Sequence, residues 1–352
     1  MSKRLWVFIA FALMMQVALS QPSEYSLFRS AASWLNPALT GTGLETWKLS
    51  GLMQSRSVND TLSHSNQLWA VEYRFDFSRV KKSYGLVIER RHPMSLSLGF
   101  FSERRTSDYH WYPYHRLGLA LNAQVFSESG LHLLALSVRP VYYTAAAYIP
   151  VSSISLSPFT DSILPGHPPE RFFTADAGVV LGFYKMDCWA DDQAYRWELG
   201  MSVHNVTLEQ QTQRPDVHPG REYLFHAGSL IELNKAWGCV AKGMYMHYGE
   251  SFYQGGINLI YRRHMSLSDR WRVGMAYRSS RHLTLSGGFR IYGTSRHTLS
   301  ADLELSHDFP LKEKNTLWPW HRQAWEISLI IKPIKKCWGL DNCSGDYQFE
   351  TY

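Results

Sequence analysis

From Leu299 to Ser306 the chain alternates without a break. Leu299, Ala301, Leu303 and Leu305 are apolar, while Ser300, Asp302, Glu304 and Ser306 are polar. Successive side chains of a β-strand point to opposite faces, so this segment has one apolar side and one wet side, with charge on the wet one. A helix would scatter those residues around its circumference. The pattern recurs to the C-terminus of a chain that begins with an export signal. A long, exported chain of such strands is expected to close into an outer-membrane β-barrel, all-β and antiparallel.

The export signal is read in the first twenty residues. Lys3 and Arg4 form a basic start, Leu5 to Leu19 an apolar stretch, and Ala18-Leu19-Ser20 a small-residue cleavage site. Residues 1–20 are therefore expected to be removed, leaving Gln21 first; the alternative is an uncleaved anchor. No later run reaches the roughly 20 apolar residues of a membrane helix, which excludes a helical membrane protein. The average hydropathy is slightly polar. That is what a membrane barrel gives, because only one face of each strand meets lipid. The formal charge of +6 is modest and dispersed, with no basic block of the kind nucleic-acid binding requires. A weakly basic rim toward anionic lipid headgroups is one reading of it, and a solvated surface the other.

Alternation and turn signals predict about fourteen strands. They run over 45–56, 66–77, 94–105, 110–126, 131–146, 172–187, 195–208, 223–234, 237–249, 252–264, 271–280, 282–293, 297–309 and 324–335. The barrel is thus expected over 45–336, with 84–90 as a further half-strand. Residues 21–44 precede it as a plug or a periplasmic arm, and 337–352 follow as a periplasmic tail. Bacterial barrels have long extracellular loops and short periplasmic turns. With a periplasmic N-terminus the long connections 147–171, 209–222 and 310–323 face outward, and the short turns at 127–130, 235–236 and 294–295 face inward. The segment 78–93 and the tight outward turns near Glu250 and Arg281 break that rule.

The polar faces carry Glu72, Arg74, Asp76, Glu198, Arg272, Arg290, Asp302, Glu304 and Glu326, which a barrel would point into its lumen. Gly118, Gly200, Ser202, Gly274, Ser286 and Gly288 share that face and leave room inside, or ease strand bending. Aromatic residues make up 14% of the chain. Trp47, Trp69, Trp111, Phe172, Trp197, Tyr223, Tyr248, Trp271 and Tyr292 are expected near strand ends, where an apolar ring with a polar tip suits the lipid–water boundary. A soluble sandwich with an aromatic core is the competing reading. It would have to hold fourteen strands without a second domain boundary.

A resemblance adds to this. The mature N-terminus reads Glu24-Tyr25-Ser26-Leu27-Phe28, then Trp34-Leu35-Asn36-Pro37-Ala38-Leu39-Thr40-Gly41. Its Asn-Pro-Ala-x-x-Gly motif resembles the start of the PorP/SprF family of type IX secretion system outer-membrane proteins of Bacteroidetes. Asn36, Pro37, Ala38 and Gly41 carry that match. Asp176-Ala177-Gly178 with Gly182 and Tyr184, then Leu199-Gly200-Met201-Ser202-Val203-His204, resemble its middle strands. Gly274 with Tyr277-Arg278, and Glu326 to Leu329, resemble its last third. Where the family often has Asn-Asp and a following Gly, this chain has Ser102-Glu103-Arg104-Arg105. Read without the family, Asn-Pro and Gly mark a turn ahead of the first strand. The resemblance implies a partner-binding barrel that assists secretion, gliding or surface attachment of cargo proteins. Its partners would be the cargo's C-terminal sorting domain and other type IX components, within outer-membrane lipid.

Little points to chemistry. No Gly-x-Ser-x-Gly, His-Glu-x-x-His, phosphate-binding or dinucleotide motif is present, so no enzyme, cofactor or metal is expected, and the fifteen histidines are scattered. The four cysteines suit disulfides in an oxidising compartment. Cys337 with Cys343 would close a small loop and leave Cys188 with Cys239, while free thiols stay open. The alternative to a secretion role is an outer-membrane transport barrel, porin-like or for hydrophobic solutes.

Overall fold

The computed structural model describes residues 27, 30–42, 46–59, 62–76, 79–83, 86–90, 94–107, 114–126, 132–145, 170–184, 195–206, 221–233, 237–248, 250–262, 270–279, 282–292, 299–311 and 324–333. Among these residues, sixteen strands follow a short N-terminal segment. They are β1 (Trp47–Asn59), β2 (Leu62–Asp76), β3 (Arg79–Ser83), β4 (Leu86–Arg90), β5 (Met94–Ser107), β6 (Tyr114–Phe126), β7 (His132–Ala145) and β8 (Glu170–Tyr184). The remainder are β9 (Tyr195–Val206), β10 (Glu222–Glu232), β11 (Trp237–Tyr248), β12 (Glu250–Arg262), β13 (Arg270–Arg278), β14 (His282–Tyr292), β15 (Leu299–Pro310) and β16 (Ala324–Pro333).

Fourteen of these close into a single antiparallel barrel in sequence order, β16 returning to pair with β1. Closure leaves no sheet edge, so every spanning strand can satisfy its backbone within lipid. No described helix is long and apolar enough to cross a membrane; the strands do the crossing. β15, at 12 residues, spans about 31 Å at roughly 3.4 Å per residue and a tilt near 40°, enough for an apolar band of about 25 Å.

The expected strands are all present within a few residues of their predicted ends. The segment 78–93 explains its own irregularity. β3 and β4 form a separate two-stranded hairpin, so the connection is long because it carries an element outside the barrel. The half-strand expected at 84–90 is the second arm of that hairpin. The tight outward connections also stand, β11 and β12 pairing up to Tyr248 and Glu250.

Alternation decides the two faces. Trp69, Leu96, Leu136, Leu199, Val273 and Ile327 are exposed to the outside, which is where lipid meets them. Glu72, Arg74, Glu198, Arg272, Arg290, Asp302, Glu304 and Glu326 turn inward and are buried, as expected; the side chain of Asp76 lies outside the described set. One aromatic expectation fails in detail. Trp69 stands mid-strand, because it covers Gly51 across the β1–β2 pair: a Cβ on Gly51 would lie 2.5 Å from the Trp69 ring. Trp111, Phe172, Tyr248 and Tyr292 lie outside the residues whose side chains are described.

Candidate functional site: a plugged lumen

The lumen is occupied. Leu27 and residues 30–42 run down the inside of the barrel, from a point level with Glu326 to one level with Glu72. The segment contains one turn of helix, α1 (Ala32–Leu35), and a 3-10 turn, Pro37–Leu39. Asn36 sits between them with extended backbone. Its side chain accepts the Ala38 N–H at 2.9 Å and so caps the 3-10 turn. Pro37 at the first position loses no hydrogen bond there. Gly41 adopts φ 62°, a region where a side chain is strained, and its N–H donates to Glu72 Oε2 at 2.7 Å. The Asn-Pro-Ala-x-x-Gly motif is therefore a turn, as its residue types suggest, and the turn lies inside the barrel.

The wall is built to hold this backbone. Arg139 Nη1 donates to Ser33 O at 2.6 Å and Nη2 to Trp34 O at 3.0 Å. Leu35 O accepts from Ser202 Oγ and from His204 Nε2, both at 2.8 Å. Asn122 Nδ2 donates to Ala38 O at 3.0 Å and Thr40 O at 2.6 Å, and Gln124 Nε2 also reaches Thr40 O. Higher up, Glu326 Oε2 accepts the Leu27 N–H at 2.9 Å. The wall thus supplies the donors that the last carbonyls of such short helical turns lack.

Two glycines make the approach possible. A Cβ on Gly178 would lie 2.1 Å from Asn36 Oδ1 and 3.1 Å from Pro37 Cδ. A Cβ on Gly200 would lie 2.9 Å from Asn36 Nδ2, and closer still to His226. Into the space they leave, Asn36 Nδ2 donates to Val179 O and Met201 O, both at 3.2 Å, and lies 3.0 Å from His226 Nε2. Motif positions from three separated stretches of sequence, Asn36-Pro37, Gly178 and Gly200, thus form one contact.

Asp176 anchors the charged side of the site. Its Oδ2 accepts from Arg139 Nε at 2.8 Å and Nη2 at 2.6 Å, with Arg116 Nη2 and His204 Nδ1 each 3.4 Å away. Its Oδ1 accepts the Asn205 N–H at 2.9 Å. That donor is aimed by an irregularity. Asn205 takes φ 58°, the β8–β9 register shifts beside it, and its side chain accepts from Tyr143 Oη at 2.8 Å. Arg116 extends the network to Glu103, whose Oε2 also accepts Trp34 Nε1–H at 2.8 Å. Ser102–Arg105, read as a departure from the family, therefore supplies a residue of this site.

Arg278 belongs to a second charged group. It pairs with Asp308 at 2.8 Å and Glu326 at 3.4 Å, and so reaches the plug only through the Glu326–Leu27 bond. Tyr277 takes no part in the lumen: it faces outward, with its ring 6.4 Å from that of Tyr253. Cys239 also faces outward on β11 and is unbonded, because one residue of alternation carries it away from its inward neighbours Gly238 and Val240. Cys188, Cys337 and Cys343 lie outside the described residues. No cluster of three or more His, Cys, Asp or Glu suited to a metal occurs among the described residues.

Beside these charges the upper wall carries an apolar patch. Leu52, Leu68, Phe101, Val141, Leu224 and Phe252 all point inward there and pack with Leu27, Ala31, Trp34 and Leu35 of the plug. Arg116 lies 4.8 Å from the Tyr143 ring and Arg139 4.4 Å from the Phe101 ring, so the guanidinium planes cover aromatic faces where the apolar and charged zones meet.

Comparison with known proteins adds a likeness of fold. No protein-family model and no curated protein matches the sequence. Among solved structures, a deltaS2 mutant of the TodX monoaromatic hydrocarbon channel is 11% identical over 87% of this chain and 94% of that one, with a TM-score of 0.50. The Ralstonia pickettii toluene transporter TbuX is 12% identical over 87% and 94%, at 0.49. A Pseudomonas aeruginosa FadL homologue is 10% identical over 86% and 97%, at 0.47. The fold is that of a Gram-negative outer-membrane barrel. A closed barrel with an apolar outer belt belongs in that membrane.

Proposed function

We propose that the protein is an outer-membrane transport barrel for small hydrophobic solutes, closed at rest by its N-terminal segment. The observation that carries this reading is the apolar patch of the upper inner wall, covered by apolar side chains of the plug itself. A porin for polar solutes has no use for such a wall, and an open pore would wet it at a cost of roughly 25 cal/mol per Å². When the plug shifts, Trp34 and Leu35 leave an apolar surface that an apolar solute can occupy in their place. The TodX channel, of the same fold, takes monoaromatic hydrocarbons; that class of solute suits this wall. The test is uptake of a radiolabelled monoaromatic hydrocarbon into proteoliposomes. Uptake above that of protein-free vesicles is expected, rising when the plug is loosened by Gly178→Val. Uptake equal to that of empty vesicles for both proteins refutes the reading.

A second reading is favoured by a different observation. Asn36 and Pro37, which resemble the PorP/SprF motif, meet Gly178 and Gly200, which resemble the family's middle strands, in a single contact. A motif that folds as one unit supports a type IX secretion barrel whose partners are secretion components and a cargo sorting domain. Affinity isolation of the tagged protein from crosslinked outer membranes, followed by mass spectrometry, separates the two. Recovery of such partners supports secretion, and a barrel recovered alone counts against it.

A further inference from the structure

The outside of the barrel is uneven around its upper rim, the end from which the long connections 146–169 and 207–220 depart. Arg104 on β5, Arg171 on β8 and Arg221 just ahead of β10 are exposed there and point outward by alternation, with His115 on β6 and His247 on β11 between and beyond them. Arg104 and His115 are cross-strand partners, as are Thr144 and Arg171. These side chains form an arc from β5 to β11. With neighbouring strands about 4.8 Å apart, the arc is roughly 29 Å long.

The arc is confined to one side and one end. Across the rim from β12 through β16 to β2, the outward positions among the described residues carry no Arg, Lys, Asp or Glu, Ser55, Gln67, Tyr253 and Leu283 being examples, and His307 there is buried between Phe309 and Trp325. The lower rim, among the described residues, has no outward Arg or Lys. It carries aromatics such as Tyr73, Phe183, Trp197 and Trp271, and the imidazole of His132. Residues that merely anchored a barrel at its interfaces would be found at both rims.

A ledge of rings lies one or two outward positions below this arc. Tyr142 and Phe173 pack at 4.9 Å immediately beneath the Thr144–Arg171 pair, and Phe225 and Tyr245 at 6.3 Å beneath Arg221 and His247. Phe173 is 74% exposed, the most exposed of the large outward hydrophobics. A ligand fitting this surface has anionic groups at headgroup level and apolar chains directly under them.

We propose that the arc over β5–β11 binds the phosphorylated disaccharide headgroup of the outer-leaflet glycolipid, with its acyl chains against the aromatic ledge. Charge complementarity selects this occupant. Arginine's planar fork binds phosphate oxygens in pairs, and the outer leaflet presents phosphates at the level the arc occupies. The inference rests on the long-connection end facing outward and is independent of what passes through the lumen.

The test uses the full-length protein in non-ionic detergent, titrated by native mass spectrometry with bis-phosphorylated lipid A, its phosphate-free form and phosphatidylglycerol. The parent should bind bis-phosphorylated lipid A at least tenfold more tightly than either comparator. The variant R104Q/R171Q/R221Q should lose that preference while binding the phosphate-free form as the parent does. All three side chains are exposed, so the barrel should keep its heat-modifiable migration. Should the triple variant fail to fold, R171Q and R221Q measured singly should each weaken binding severalfold. Equal affinity for phosphate-free lipid, equal affinity for phosphatidylglycerol, or variants that bind like the parent would each overturn the proposal; the last would leave the arc to an acidic protein partner.

Discussion

Replacing Arg139 by Met should release the plug while leaving the barrel closed. The guanidinium is 1% exposed and makes its bonds in two directions, to Ser33 O and Trp34 O of the plug and to Asp176 of the wall. Hydrogen bonds from a charged donor contribute about 1.5–3 kcal/mol each, so the two plug bonds together hold the segment by roughly 3–6 kcal/mol. Met fills much of the same volume and brings no donor. Asp176 keeps Arg116, His204 and the Asn205 N–H, so its charge is not stranded. At 1.4 kcal/mol per decade the population of the undocked plug should rise about 10²–10⁴-fold. Amide hydrogen exchange read by mass spectrometry reports this directly. The Leu35 and Asn36 N–H groups bond to Ala31 O and Ala32 O in the docked segment, and their protection falls as undocking becomes frequent. Arg290→Met is the matched control, since it breaks a buried pair with Asp302 on the diametrically opposite wall, seven strands away in the barrel order. It should weaken the barrel and leave plug protection unchanged. If peptides covering 30–42 exchange within threefold of the parent in Arg139→Met, the argument that this arginine docks the plug is wrong.

Further expectations follow from neighbouring contacts. Gly178→Val drives a side chain into Asn36 and Pro37 and should raise the single-channel opening frequency in planar bilayers, with heat-modifiable migration retained. Asn205→Ala puts at φ 58° a residue that tolerates the left-handed region less well than asparagine and removes the acceptor for Tyr143 Oη; a loss of about 1–3 kcal/mol in urea unfolding from vesicles is expected. Asn205→Gly should recover the backbone part of that loss. Asp302→Ala takes the paired carboxylate from the buried Arg290 and should cost about 3–5 kcal/mol, whereas joint replacement of both by apolar residues should restore most of it. Trp69→Ala uncovers Gly51 on the lipid face, and tryptophan fluorescence quenched by brominated lipid should fall by the share of that one ring.

Much of the fold is legible in the sequence because a barrel strand obeys a local rule. Whether Asp302 or Leu303 points inward depends on parity alone, and parity is read residue by residue. For the same reason the inward charges Glu72, Arg290 and Glu326 are predictable without knowing any partner. The hairpin at 79–90 is less legible, since five-residue arms carry too few alternations to separate a short free hairpin from a broken spanning strand. The site is legible only in part. Asn36, Pro37 and Gly41 mark a turn by their residue types, while Arg139, Asn122, Gln124 and Glu103 give no local sign of a role. Their partners are main-chain carbonyls and an indole up to 106 positions away. An inward Arg beside Pro140, on a strand whose other inward residues are Leu133, Ala135, Ser137, Val141 and Tyr143, is the one signal that could have pointed to Arg139.

By itself the sequence determined the number of spanning strands, their order, which side chains meet lipid and which meet the lumen, because each follows from a two-residue period and from the turn residues between runs. Only the tertiary structure decided that the lumen is filled, by which segment, and that its upper wall carries an apolar patch against that segment. Those properties arise from closure, which brings β7, β8 and β9 around one short stretch of chain. They depend on distances between residues that no local period relates: the gap that Gly178 and Gly200 leave for Asn36, and the reach of Arg139 to Ser33 and Trp34.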